Sequence, residues 1–71
     1  MKYIAIIEKS DTGFGAYVPD LPGCIAVAET EAEVKELIEE AVVFHIEGLR
    51  EAGEQVPLPS SNSILIDVKA A

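Results

Sequence analysis

Between Thr30 and Gly53 the sequence carries one uninterrupted helical period, and in a chain of 71 residues that element dictates most of what can be built around it. Thr30 can cap the N-terminus, and Glu33, three residues later, completes a capping box. Gly53 supplies the C-terminal stop, and Pro57 and Pro59 keep the helix from resuming. At about 100° per residue, Val34, Leu37, Ile38, Ala41, Phe44, His45, Gly48 and Leu49 fall on one face. Glu36, Glu39, Glu40, Glu47 and Arg50 take the opposite face, with Val43 in its middle and Ile46 on its margin beside Val42. A single amphipathic helix has one apolar stripe to bury, and the rest of the chain must supply the surface that covers it.

Short β-rich runs supply that surface. Residues 3–8 read as a strand, nearly continuous in apolar side chains and β-branched at Ile4, Ile6 and Ile7. Lys9-Ser10-Asp11-Thr12-Gly13 is a turn cluster, and residues 14–18 are a second strand, so the two form a hairpin. Pro19-Asp20-Leu21-Pro22-Gly23 follows. Two prolines remove two ladder donors, which makes this segment a rigid connection and excludes it from a central strand. Residues 24–28 return as a third strand beside the second. After the loop Leu58-Pro59-Ser60-Ser61-Asn62, residues 63–69 read as a final strand. The order is β-β-β-α-β, an α+β domain of 1–71 with one helix across one face of an antiparallel or mixed sheet. The apolar runs 4–7 and 64–66 favour a second subunit, rather than solvent, against the other sheet face.

Charge narrows the function. Five Lys and Arg against thirteen Asp and Glu leave a net charge of −8. Nucleic-acid binding depends on cations that displace phosphate counterions, so direct contact with nucleic acid is not expected. A basic protein partner suits such a chain better. An apolar fraction of 49% is too high for a disordered tail. No apolar run approaches the roughly 18–20 residues that cross a bilayer, and the first apolar stretch breaks at Glu8, too early for a signal peptide. The chain reads as cytoplasmic and without membrane contact. The single cysteine, Cys24, excludes an internal disulfide framework and a Cys-rich zinc site. A core drawn from so few residues is marginal alone, so self-association as a dimer or tetramer is expected.

Side chains that could carry chemistry are few. His45 could serve as a general base or metal ligand, but on the inner helix face it reads as a half-buried ring bonded to a backbone carbonyl. Cys24 would need to face His45 to form a reactive couple, and in an apolar strand it reads as packing. A two-metal nuclease would require Glu8, Asp20 and Asp67 to converge, and nothing in their spacing shows it. Gly13-Phe14-Gly15 lacks the third glycine and the following helix of a phosphate-binding loop. No catalytic constellation, metal site or cofactor is implied. What remains is the acidic ridge of the helix, a solubility device or a docking surface for a Lys/Arg-rich partner.

The segment Gly13-Phe14-Gly15-Ala16-Tyr17-Val18-Pro19-Asp20-Leu21-Pro22-Gly23-Cys24 resembles the signature of the HicB-like antitoxin family, in its short UPF0150-type form. Thr30-Glu31-Ala32-Glu33 matches the family's acidic helix start. His45-Ile46-Glu47-Gly48-Leu49 and Gly53-Glu54-Gln55-Val56-Pro57 resemble its ending. The resemblance implies a partial, degenerate ribonuclease-H-like fold without nuclease activity, and a role as the antitoxin of a type II toxin–antitoxin module. There it would neutralise a small, basic, mRNA-cleaving toxin by protein–protein binding. Glu36, Glu39, Glu40 and Glu47, with Asp20, are the expected acidic contacts, and Pro19, Asp20, Leu21, Pro22, Gly23 and Cys24 the structural motif. The sequence stops at Ala71, directly after the last expected strand, so no DNA-binding C-terminal segment is expected. The competing reading is a solitary oligomeric interaction module with some other partner.

Overall fold

Asp11 and Thr12 form a two-residue turn closed by Ser10 and Gly13, and the Ser10 hydroxyl donates to the Gly13 carbonyl at 3.2 Å. This turn joins β1 (Ile6–Ser10) to β2 (Gly13–Tyr17), antiparallel, with Ile6 opposite Tyr17 and Ile7 opposite Ala16. β3 (Ile25–Ala28) pairs antiparallel on the other side of β2, placing Ala26 opposite Ala16 and Ile25 opposite Tyr17. The computed structural model describes residues 1–69, and among them the sheet is a meander ordered β1-β2-β3, followed by α1 (Glu31–Glu51). The expected α+β class, one helix on one face of an antiparallel sheet, is the class observed. The first ladder begins at Ile6, later than the expected start at residue 3. In this register Ile4 would face Pro19, which has no N–H to offer, and the Val18 amide bonds the Cys24 carbonyl instead.

Alternation along the strands sorts their side chains. Ile7, Phe14, Ala16, Ala26 and Ala28 face the helix. Ile6, Tyr17, Ile25 and Val27 lie on the outer face, where Tyr17, Ile25 and Val27 are exposed. The connection from Val18 to Cys24 is part of the core rather than a surface loop. Leu21 N–H donates to Val18 O at 3.1 Å, Cys24 N–H to Leu21 O at 3.0 Å, and Val18 N–H to Cys24 O at 3.2 Å. With its backbone satisfied internally, the connection turns Val18, Leu21 and Cys24 inward, all three buried, to meet Ala16, Val34 and Ile38. Gly23 makes this closure possible: its φ of +88° is in the left-handed region, where an L side chain is strained.

The helix keeps its expected limits. Thr30 is extended and its hydroxyl accepts from the Glu33 amide at 3.2 Å. The reciprocal arm of the capping box differs: the Thr30 hydroxyl donates to the Glu33 carboxylate at 3.0 Å. At the other end Gly53 (φ +72°) donates to Arg50 O at 3.1 Å and Glu54 to Leu49 O at 2.9 Å, the paired bonds of a Schellman stop. The buried face is rotated from the expected one. Val34 and Ile38 are its centre and Val42 and Ile46 pack against the core, whereas Phe44 is 79% exposed and Leu37 is also exposed. The helix lies mainly over β2 and β3 and barely reaches β1, so the arc toward Val42 and Ile46 meets the sheet and the arc toward Phe44 does not.

The expected strand at 63–69 is not formed within the chain. These residues adopt no regular secondary structure, and Ile64, Leu65, Ile66 and Val68 are exposed, Leu65 fully so at 103%. Their root is fixed, since the Tyr3 hydroxyl donates to the Pro57 carbonyl and Ser60 and Ser61 bond Asp20. Beyond Ser61 the chain leaves the body. The radius of gyration is 14.2 Å, against about 11 Å for a compact chain of this length, and the extents are 52 × 27 × 16 Å. A strand forms only where a sheet edge supplies hydrogen-bond partners, and along this path none does.

Candidate partner-binding surface

Glu36, Glu40 and Glu47 follow one another at helical spacing on the solvent side of α1, with Glu39 on the adjoining flank; all four are exposed. They do not form a uniformly charged stripe. Val43 and Phe44 stand among them, and Glu39, Glu40, Val43, Phe44 and Glu47 line a shallow hollow of about 440 Å³. The arrangement is an apolar centre with a carboxylate rim. Sequence reasoning placed Phe44 in the core and so missed it as part of this surface. The available signal was the width of the apolar arc, which exceeds what a three-stranded sheet can cover.

Asp20 belongs elsewhere. Its Oδ2 accepts the Ser60 and Ser61 amides, both at 2.9 Å, and its Oδ1 accepts the Ser60 and Ser61 hydroxyls at 3.1 and 2.7 Å. These donors favour the ionised form, led by the Ser61 amide and hydroxyl, and hold the carboxyl at a pKa of about 2. The carboxylate is thus engaged by the chain itself, clamping the loop after the helix onto the turn after β2. Nothing local in the sequence announced a pairing across 40 residues.

The remaining candidates stay apart. Burial raises the Cys24 thiol pKa, the opposite of what nucleophilic use requires. His45 is half-buried beside the Gly23 turn, yet among the described residues it makes no hydrogen bond to a carbonyl or to Cys24. The carbonyl bond expected for its ring is therefore not formed among the described residues. Among the described residues no group of three or more His, Cys, Asp or Glu side chains is placed to hold a metal ion, so Glu8, Asp20 and Asp67 do not converge. None of the described helices is long and apolar enough to cross a membrane.

Comparison with known proteins bears on the family and the fold. A family model described as the HicB-like antitoxin of bacterial toxin–antitoxin systems matches residues 3–69. A UPF0150 protein of Helicobacter pylori is 34% identical over 67 residues, covering 94% of this chain and 92% of the relative. An uncharacterized 14.9 kDa protein from the rep–hol intergenic region of Haemophilus phage HP1 is 44% identical over 64 residues, covering 90% of this chain. The match spans 47% of that phage protein's length. Among solved structures, a chain of a HicA3 and HicB3 toxin–antitoxin complex superposes with a TM-score of 0.73 at 37% identity, covering 84% of this chain and 70% of that one.

Proposed function

Because the chain belongs to the HicB-like antitoxin family, we propose that it neutralises a small basic mRNA-cleaving toxin by seating the outer face of α1 on the toxin's cationic surface. The carrying observation is the hollow itself. Interfaces that bind specifically place apolar and aromatic groups at the centre and charge at the rim, and Val43 and Phe44 beside Glu39, Glu40 and Glu47 have that arrangement. The glutamates would steer a Lys/Arg-rich surface into contact, and Phe44 would anchor it once water is expelled. The net charge of −8 supports the same partner and argues against direct contact with nucleic acid.

Calorimetric titration against a small basic toxin of the HicA kind is the test. Reversing Glu36, Glu39 and Glu40 to Lys should weaken binding by roughly a hundredfold or more while the far-UV circular dichroism stays unchanged. Raising salt should weaken the unmodified pair. Phe44→Ala should cost affinity at all salt concentrations. Unchanged affinity in the triple variant overturns this assignment of the surface.

A further inference from the structure

Residues 63–69 combine the sequence of a half-buried strand with the exposure of an unfolded one. In extended backbone Ile64, Ile66 and Val68 share one face, and Leu65, Asp67 and Lys69 the other. That alternation suits an edge strand with one face against a core, yet within the chain the apolar face meets water.

The body carries the matching vacancy. β1 is an edge of the sheet, so one side of its backbone has no strand beside it among the described residues. Because α1 sits over β2 and β3, the helix side of the sheet along the β1 edge is left uncovered. There Met1, Tyr3, Ala5, Val18, Ile38, Glu39 and Val42 line a cleft of about 230 Å³, apolar but for Glu39. A strand added at this edge would direct every second side chain into that cleft. Seven residues reach roughly 23 Å, enough to run along β1 and the residues before it.

We infer that residues 63–69 of one copy add as a fourth strand to the β1 edge of a second copy, Ile64, Ile66 and Val68 filling the cleft, and that the exchange is reciprocal. The second copy is favoured by the root of the segment. Asp20 grips Ser60 and Ser61 with four hydrogen bonds, and from that anchor the chain projects away from its own body. A second copy offers an identical open edge, and a two-fold axis satisfies both tails at once. Charge permits it as well. Two chains of net charge −8 repel, but the exchanged segment carries one Asp and one Lys and is neutral. The exchange completes the β-β-β-α-β order across two chains. It does not rest on the proposed toxin-binding surface, with which the cleft shares only Glu39.

Sedimentation equilibrium and isotope-filtered NMR on the full chain test it together. The unmodified protein should sediment with twice the 7.6 kDa mass of one chain. In a mixture of labelled and unlabelled copies, filtered NOEs should join the Ile66 methyls of one copy to the Val42 methyls of the other. The Ile64→Asp/Ile66→Asp variant should sediment as a single chain with its helical circular dichroism retained. A single-chain mass for the unmodified protein overturns the inference. So does an Ile66–Val42 NOE confined to one copy, which would mean the segment folds back on its own β1. A doubled mass with no such NOE overturns it too. Loss of toxin binding with the exchange intact would bear on the proposed function alone.

Discussion

Replacing Gly23 by L-alanine and by D-alanine separates backbone strain from every other effect at that position. Its φ of +88° is unfavourable for an L residue, costing about 1–2 kcal/mol, and favourable for a D residue. The L variant meets no clash, since its methyl would sit 4.0 Å from His45 Cε1, an ordinary contact. Either alanine stiffens the unfolded chain to the same extent, a gain of about 0.4–1 kcal/mol. L-Ala should therefore be destabilising by about 0–1.6 kcal/mol net, and D-Ala stabilising by about 0.4–1 kcal/mol. For a domain of this size each kcal/mol moves Tm by about 4–8 °C, so the two variants should melt about 4–16 °C apart. L-valine, β-branched, should be costlier still, about 2–3 kcal/mol. The chain is short enough for chemical synthesis, and melts must be compared at one protein concentration because association would shift Tm. L-Ala and D-Ala variants melting within about 2 °C of each other would refute the claim that the turn depends on a left-handed residue.

Leu21 is fully buried in that turn, and Leu21→Ala should cost about 2–5 kcal/mol in urea unfolding. Against the roughly 4–10 kcal/mol expected for 71 residues this is a large share, and a change below about 1 kcal/mol would remove Leu21 from the core. Gly48, inside α1 with open space around its Cα, should give about 0.5–1 kcal/mol of added stability as Gly48→Ala, visible as a higher Tm. Asp20 is held at a pKa of about 2 against an unfolded value near 3.8, so its contribution is complete above pH 4 and is lost as pH falls toward 2. Urea midpoints measured from pH 5 to pH 2 should fall across that window, and Asp20→Asn should flatten the fall; an unchanged profile would remove Asp20 from the linkage.

Local rules sufficed for the helix. Thr30 and Glu33 at one end and Gly53 at the other are signals acting within a turn of backbone, and α1 runs between them. The hairpin and the Pro-Asp-Leu-Pro-Gly connection were legible for the same reason, because turn chemistry and missing amide donors are properties of neighbouring residues. The acidic helix face was legible too, since charge placed at helical spacing needs no partner to define it. Tertiary structure decided three other matters. It rotated the buried face of α1, turning Phe44 out and Val42 and Ile46 in, because a wide apolar arc leaves its edges to be chosen by whichever sheet lies beneath. It engaged Asp20 with Ser60 and Ser61, because hydrogen bonds between residues 40 apart depend on where the chain returns. Finally, it led residues 63–69 away from the open β1 edge of their own sheet, although their alternation is that of a strand. A helix closes its hydrogen bonds within itself, so its sequence is enough to define it; a strand is completed only by the neighbour that pairs with it.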